Sequence, residues 1–417
     1  MSLFIRVIHP PRSSPFPRSP YLYSMRSSFQ MTPWRVIKGC YGQFLLIIMV
    51  LGWSVARSES PLHIVDAPMI SSPDPDTSHA SYDGPHIFYR QEHTIIKQIL
   101  KRGDKVYPVM DTIFGKISGK QITCHVNDTV KFRTTIKKSI KDQPTTYEMP
   151  EKLLAISDIE GNFLTFRDLL VNNGVMSPTY KWTFGTGHLV LNGDFFDRGL
   201  HVTECLWLVY HLEQEALKAG GYVHFILGNH EIMNMNGDLR YMRNKYYENT
   251  YIIKEAYSNW YTPDTELGRW LQSKNIVEKI GTYLFTHGGI SPEVAADKAD
   301  VEKINSLARD YYYKEAKALE CKDEFLVALF SDKTSPFWYR GYVSQTIDEA
   351  ALNTILSKYE VTKIVVGHSI VDDVRYFYNG KVIAIDTKHS TGDAEALLIE
   401  SGTEYRVDIT GKQYSIK

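Results

Sequence analysis

Cysteine is scarce in this chain: four in 417 residues, with no Cys-x-x-Cys pair. That excludes a disulfide-built scaffold, a zinc ribbon and a thioredoxin-type redox site. Glycine and proline together number 45, too few for a collagen-like or low-complexity chain. Long hydrophobic runs are missing as well; the thirteen mostly apolar residues from Phe44 to Ala56 are short for a membrane span. Nor is there an excess of positive charge. Residues 1–56 hold six basic side chains (Arg6, Arg12, Arg18, Arg26, Arg35, Lys38) and no acidic one. With those six taken from the 47, 41 basic residues face 48 acidic ones, a net of about −7 beyond residue 56. This argues against a nucleic-acid binder built on a broad basic surface, and no nucleic-acid partner is expected. What is present is 43% apolar and 12% aromatic residues, enough for one large core or two ordinary ones.

The amino-terminal stretch reads as an address. Arg35 and Lys38 precede the apolar run, and Ser54-Val55-Ala56 ends it in small residues. Basic flank, short apolar stretch and small-residue exit describe a secretory signal near residues 31–56, implying export to a periplasm or the exterior. The rival reading is an uncleaved anchor; cleavage leaves no stable membrane attachment. The first thirty residues are rich in Pro, Ser and Arg, and a start at Met25 or Met31 would give a more ordinary signal.

Residues 57–90 carry Ser, Pro and Asp without sustained periodicity and are expected to be a flexible linker. A short helix is expected around Glu92 to Arg102. From Lys105 to Tyr147 strand-like runs (VYPVM, KQITCHV, VKFRTTI) follow one another between turns, so residues 91–150 form a small β-rich preface. From 151 to 417 the texture is α/β: apolar runs LLAIS, HLVLNG, VHFILGN, YLFTHGG, IVVGHS and VIAID alternate with helical stretches such as Thr203 to Ala219.

The endings of these runs carry the chemistry. LLAIS leads into Asp158-Ile159-Glu160-Gly161-Asn162, and HLVLN into Gly193-Asp194-Phe195-Phe196-Asp197-Arg198-Gly199. VHFIL leads into Gly228-Asn229-His230-Glu231, YLFT into His287-Gly288-Gly289, and KIVV into Gly367-His368-Ser369. Open α/β sheets place ligands at the carboxyl ends of strands, so distant segments converge on one site. Carboxylates, an amide oxygen and two imidazoles suit Mn, Fe, Zn or Mg. They suffice for two ions with Asp194 between them, an arrangement that serves phosphoryl transfer.

These blocks resemble the calcineurin-like metallophosphoesterase superfamily, whose pattern runs D-x-H, G-D-x-x-D-R-G, G-N-H-E, a His before Gly-Gly, and G-H. Four of the five stand here intact and in order, and NMNGDLRY (234–241), LGRWL (267–271) and SPFWYRG (335–341) are similar to its bacterial-type, Shewanella-like protein phosphatase branch. The resemblance implies a core of mixed β-sheets flanked by helices, with the metal site at the strand carboxyl ends. It implies Asp158 and Asp194 at a first metal, and Asp194, Asn229, His287 and His368 at a second. It further implies His230 as general acid, oriented by Asp197, with Arg198 and Arg340 on the phosphate oxygens, and a bridging hydroxide attacking phosphorus in line.

One departure stands out: Glu160 occupies the position of the family's first His. Glu160 is taken as a ligand that tilts the pair toward Mn (with Mg, Fe or Zn as alternatives), or as a side chain that turns away. The expectation is a secreted phosphatase of phosphomonoesters, including phosphoprotein Ser, Thr or Tyr. The rivals are a weakened relative that only binds metal and phosphate, and a phosphodiesterase or nucleotide pyrophosphatase. Arg240 either lines the substrate approach or pairs with Asp238, and His389 is a candidate on the substrate rim. His188, His224, His211, Tyr246, Tyr247 and Tyr311 to Tyr313 read as packing residues. Cys124, Cys205 and Cys321 leave room for one disulfide.

Overall fold

The computed structural model describes residues 79–417. The extension, the signal-like run and the linker up to residue 78 lie outside the described residues. Two six-stranded sheets face each other. The first runs β17 (Gln413–Ser415), β16 (Thr403–Asp408), β15 (Glu395–Glu400), β7 (Lys152–Ile156), β8 (His188–Asn192), β9 (Tyr222–Ile226). The second runs β13 (Arg375–Phe377), β14 (Val382–Ala384), β12 (Lys363–Val366), β11 (Tyr283–Thr286), β10 (Val277–Ile280), β6 (Thr146–Tyr147).

Strands β7, β8 and β9 are mutually parallel, as are β11, β12 and β14. Between the sheets lies a closed apolar layer of Leu153, Ala155, Val190, Ile226, Phe285, Val365 and Ile383, among others. The alternate residues, such as Leu154, Ile156, Leu191, Ile364 and Val366, face the opposite way into a larger core with the helices. Burial on both faces explains why LLAI and LVL read as continuous apolar runs and not as alternating strands.

Helix α1 (Phe163–Asn172) follows β7 and α2 (Val202–Ala219) follows β8. Helix α3 (Asn229–Met235) follows β9, and α4 (Asn244–Ile253) and α5 (Glu266–Gln272) precede β10. In α2, residues Cys205 to Tyr210 are all fully buried, because the preface covers the face that the sheet does not.

The preface differs from expectation in two places. Strand β1 (Asp83–Tyr89) lies within the stretch read as linker, with six of its seven residues buried. Trp207 of α2 donates its indole N–H to the Pro85 carbonyl at 2.9 Å, and Asn249 of α4 donates to Asp83 Oδ2 at 2.8 Å. Its Pro and Asp residues read as loop signals, yet distant helices supply the partners that make it a strand. The helix expected at 92–102 is instead β2 (His93–Arg102), paired along its whole length with β3 (Lys105–Phe114). Its β-branched Ile95, Ile96 and Ile99 pack well on a pleated surface, and β1 and β3 satisfy its backbone on both edges. A hairpin of β4 (Gln121–His125) and β5 (Lys131–Thr135) completes the preface. All described residues belong to one compact unit. Cys124, Cys205 and Cys321 are free thiols. No described helix is long and apolar enough to cross a membrane.

Candidate active site

Six polar side chains leave the carboxyl ends of six strands. Asp158, Asp194, His368 and Asp386 each stand two residues beyond the end of β7, β8, β12 and β14; His287 stands one beyond β11 and Asn229 three beyond β9. The backbone there is strained: Asp158, Glu160, Asp194, Asp197, Arg198 and His368 all have φ between 47° and 68°. Non-glycine residues rarely adopt this region, and its concentration here marks chain held in place to aim side chains. Gly193 shows how tight the packing is. Its φ is 91°, and a Cβ on it would stand 2.5 Å from His287 Nδ1.

The tightest convergence among the described residues is Asp194, His287 and His368, with ligand atoms within 4.8 Å of one another. His287 Nε2 is 3.0 Å from Asp194 Oδ2. One end of the Asn229 amide lies 2.8 Å from His368 Nδ1, 3.2 Å from His287 Nε2 and 3.3 Å from Asp194 Oδ2; in the ion-free arrangement its –NH2 is the group that finds acceptors there, and a turn of the amide presents the oxygen to a cation. Second contacts set the imidazoles: His287 Nδ1 faces the Asn192 carbonyl at 2.7 Å, and His368 Nε2 faces the Trp338 carbonyl at 3.0 Å. If each ring donates its one N–H to that carbonyl, its other lone pair points inward, as metal-binding histidines are usually arranged. A carboxylate and two imidazole lone pairs facing one point repel one another unless a proton or a cation sits among them, and the Asn229 amide can turn its oxygen toward a cation. This donor set fits a divalent ion.

Without an ion a proton takes that place. Burial disfavours the His287 cation, but the charges of Asp194 and Asp158 outweigh it and hold its pKa up at about 10. His368 is pushed far down by burial and by His287. Asp158 is raised to about 6 by burial, and Asp194 adds to the rise. Its Oδ2 accepts from Ser157 Oγ at 2.5 Å and from the His368 N–H at 3.0 Å, tying the ends of β7 and β12 together. Glu231 organises the loops from behind, accepting from the N–H groups of Gly228 (2.7 Å), Asp194 (2.9 Å) and Phe195 (2.7 Å).

Beside the cluster, His230 Nδ1 meets Asp197 Oδ2 at 2.6 Å, while His230 Nε2 faces Asp194 Oδ2 at 3.9 Å. Burial works against the His230 cation, but Asp194 and the Asp197 hydrogen bond prevail and its pKa is raised. Asn234 donates to the same Asp197 oxygen at 3.0 Å. All this opens onto a pocket of about 220 Å³, whose rim carries Arg198, Arg340, Tyr241, Trp338 and Ile370. Arg340 donates to the His368 carbonyl at 2.6 Å and to Ser369 Oγ at 3.2 Å. The Arg198 guanidinium lies 5.6 Å from the Tyr241 ring centre, and that ring is 5.2 Å from His230.

Five expected residues do not line this pocket: Asp197 and His287 stand behind its wall, bonded to His230 and Asp194, whereas Glu160, Arg240 and His389 are not joined to the cation cluster. Glu160 forms an ion pair with Arg198 and does not line the pocket. The reason is local: Gly161 donates its N–H to the Phe195 carbonyl at 3.0 Å and His201 donates to the Gly161 carbonyl at 3.1 Å. These bonds zip the Glu160 loop against the Asp-Arg-Gly loop and lay its carboxylate beside Arg198. Arg240 is exposed and pairs with Asp238, its Nη2 2.6 Å from Oδ2. His389 is buried at 2% exposure and does not line the pocket, so it is not a rim residue. His188 and His224 form a buried chain with Glu278 (2.9 and 2.6 Å), as packing residues do. The sequence reading missed Asp386, Ser157 and Tyr241. Asp386 carried a usable signal, because VIAID ends in an acidic residue as LLAISD does.

Strand-end carboxylates and imidazoles around a cation position, with an acid and two guanidiniums above it, belong to a metal-dependent phosphoester hydrolase. The calcineurin-like phosphoesterase family profile matches residues 151–372, and the chain belongs to that family. Its homologues include Shewanella-like protein phosphatase 2 of Arabidopsis thaliana, 27% identical over 61% of this chain and 75% of that one. An uncharacterized protein of Schizosaccharomyces pombe is 30% identical over 66% of this chain and 82% of its own length. The solved cold-active protein-tyrosine phosphatase of a psychrophilic Shewanella species is 35% identical. That match covers 81% of this chain and all of that one, with a TM-score of 0.74.

Proposed function

We propose that this phosphatase is an exported enzyme with two divalent ions, Mn foremost, that hydrolyses phosphomonoesters on protein side chains, phosphotyrosine above all. One observation carries the reading: His230, backed by Asp197, lines the pocket beside the Asp194–His287–His368 cluster, with two guanidiniums in the same pocket. Two divalent ions, when bound, supply Lewis acidity and lower the pKa of water. Asp158 and Asp194 would hold one ion, and Asp194, Asn229, His287 and His368 the other.

Arg198 and Arg340 grip the phosphoryl oxygens in pairs. Arg340 is pre-set for this by the His368 carbonyl, while Arg198 must exchange Glu160 for phosphate. His230 holds a proton on Nε2 because Asp197 and Asp194 stabilise its cation, and it passes that proton to the leaving oxygen. Tyr241, Trp338 and Ile370 give the pocket aromatic and apolar walls that fit the ring of an aryl phosphate. The Shewanella relative is a protein-tyrosine phosphatase, which supports that choice. The export reading rests on the basic and apolar run before residue 57.

The test is turnover of p-nitrophenyl phosphate and of phosphotyrosyl, phosphoseryl and bis-p-nitrophenyl substrates after EDTA, then after readdition of Mn, Mg, Zn or Fe. Activity on the monoesters restored by metal, with the phosphotyrosyl peptide preferred, supports the reading. Preference for the diester moves it to a phosphodiesterase. No turnover by folded, metal-loaded protein leaves a binding module.

A further inference from the structure

Glu160 does not complete the first metal position, yet the pocket contains a carboxylate that no motif accounts for. Asp386 is 3% exposed and lines the same pocket as Asp158 and Asp194. It stands two residues beyond β14 as those two stand beyond β7 and β8. Its backbone is fixed: the Asp386 carbonyl accepts from the Val371 N–H at 2.9 Å, and β14 runs parallel beside β12. Its carboxylate has no hydrogen bond and no ion pair among the described residues. The two guanidiniums of the pocket are engaged elsewhere, Arg198 with Glu160 and Arg340 with His368 and Ser369.

A carboxylate in so enclosed a pocket, with no donor from the protein and only the more remote charges of His287 and Arg198 to offset it, is costly, and such groups either take up a proton or coordinate a metal. We propose that Asp386, and not Glu160, supplies the third carboxylate of the first metal position, together with Asp158 and Asp194. The inference rests on the dinuclear reading above.

The chemistry of the two positions then differs. The second is the tight set of Asn229, His287 and His368 around Asp194, within 4.8 Å for the charged and imidazole donors. The first is an all-carboxylate set along one pocket wall, whose three side chains do not converge within 4.8 Å as the second set does, so water completes the shell of an ion held there. Hard oxygen donors with retained water suit Mg or Mn and disfavour ions that prefer imidazole or thiolate. The position is therefore expected to be the weaker and more exchangeable of the two. Loss of the family's first His is offset from another strand and not by the residue that replaces it in sequence.

The experiment is a Mn titration of the metal-stripped full chain, followed by calorimetry and by electron paramagnetic resonance of free Mn, for wild type, Asp386→Asn and Glu160→Gln. Wild type and Glu160→Gln are expected to bind two ions. Asp386→Asn is expected to keep the tight ion and to lose about 10–100-fold in affinity for the weaker one. Thermal unfolding of the metal-free proteins reports folding separately; Asp386→Asn, which removes a buried charge, should melt no lower than wild type. Two undisturbed sites in Asp386→Asn, or one lost in Glu160→Gln, overturns the assignment while leaving the dinuclear reading intact. A wild-type chain that takes up a single ion overturns both.

Discussion

His230 as general acid makes the sharpest kinetic prediction for this site. In His230→Ala the proton on Nε2 is lost, and a positioned acid contributes about 10²–10⁴-fold when the leaving group is poor. That corresponds to about 2.7–5.4 kcal/mol of barrier at 1.36 kcal/mol per tenfold. With an alkyl phosphate such as phosphoserine, kcat should fall by that factor. With p-nitrophenyl phosphate, whose leaving group departs as a stable anion, the fall should be far smaller. The structure also predicts how the acid is tuned. The buried 2.6 Å bond from His230 Nδ1 to Asp197 is charge-assisted, a contact that contributes about 1.5–3 kcal/mol. Its loss in Asp197→Asn should lower the His230 pKa by about one to two units. The alkaline limb of the kcat–pH profile should shift down by the same amount on the alkyl substrate and barely move on the aryl one. Stopped assays of both substrates from pH 5 to 10 read both effects. Equal losses on the two substrates in His230→Ala, or an unmoved limb in Asp197→Asn, would refute the assignment.

Three further outcomes follow from the geometry. His287, with a metal-free pKa of about 10, must give up its proton to bind an ion. Affinity for the tight Mn should therefore rise about tenfold per pH unit from 7 to 9, with one proton released, as calorimetry in buffers of different ionisation enthalpy measures. In Glu160→Gln, Arg198 is free before phosphate arrives; because the Arg198 side chain is half-exposed, KM should fall by no more than about fivefold. A rise in KM would show Glu160 helping the substrate. Finally, Glu204 is fully buried between α2 and the preface, and its pKa is raised to about 8 by burial, with Lys245 opposing and Asp83 adding. Its folded pKa exceeds the unfolded one, so stability should fall as pH rises from about 5 to 8. Glu204→Gln should flatten that slope and gain about 1–3 kcal/mol at pH 8, read by thermal unfolding.

The sequence made the catalytic half legible because its signals are local. Each strand-end block carries its own turn residues and ligands within a few positions, and the order of the blocks is enough to assemble them. The preface was less legible. Asp83–Tyr89 and His93–Arg102 become strands only because α2, α4, α5 and β3 stand beside them, and those partners lie up to about 180 residues away. Short amphipathic runs with Ile and Lys fit either period until a neighbour supplies hydrogen bonds.

By itself the sequence determined the residue types, their positions at strand ends and hence the chemistry: a site for divalent ions, an acid and two guanidiniums. Those follow from composition and chain order. Only the tertiary structure decided which way individual side chains point. Glu160 sits at a ligand's position in sequence, but the bonds between its loop and the Asp-Arg-Gly loop deliver it to Arg198. Asp386 belongs to no motif, yet the pairing of β14 with β12 carries it into the pocket. Side-chain direction depends on backbone torsion and on contacts between segments far apart in the chain, and neither is written in the residues that a motif contains.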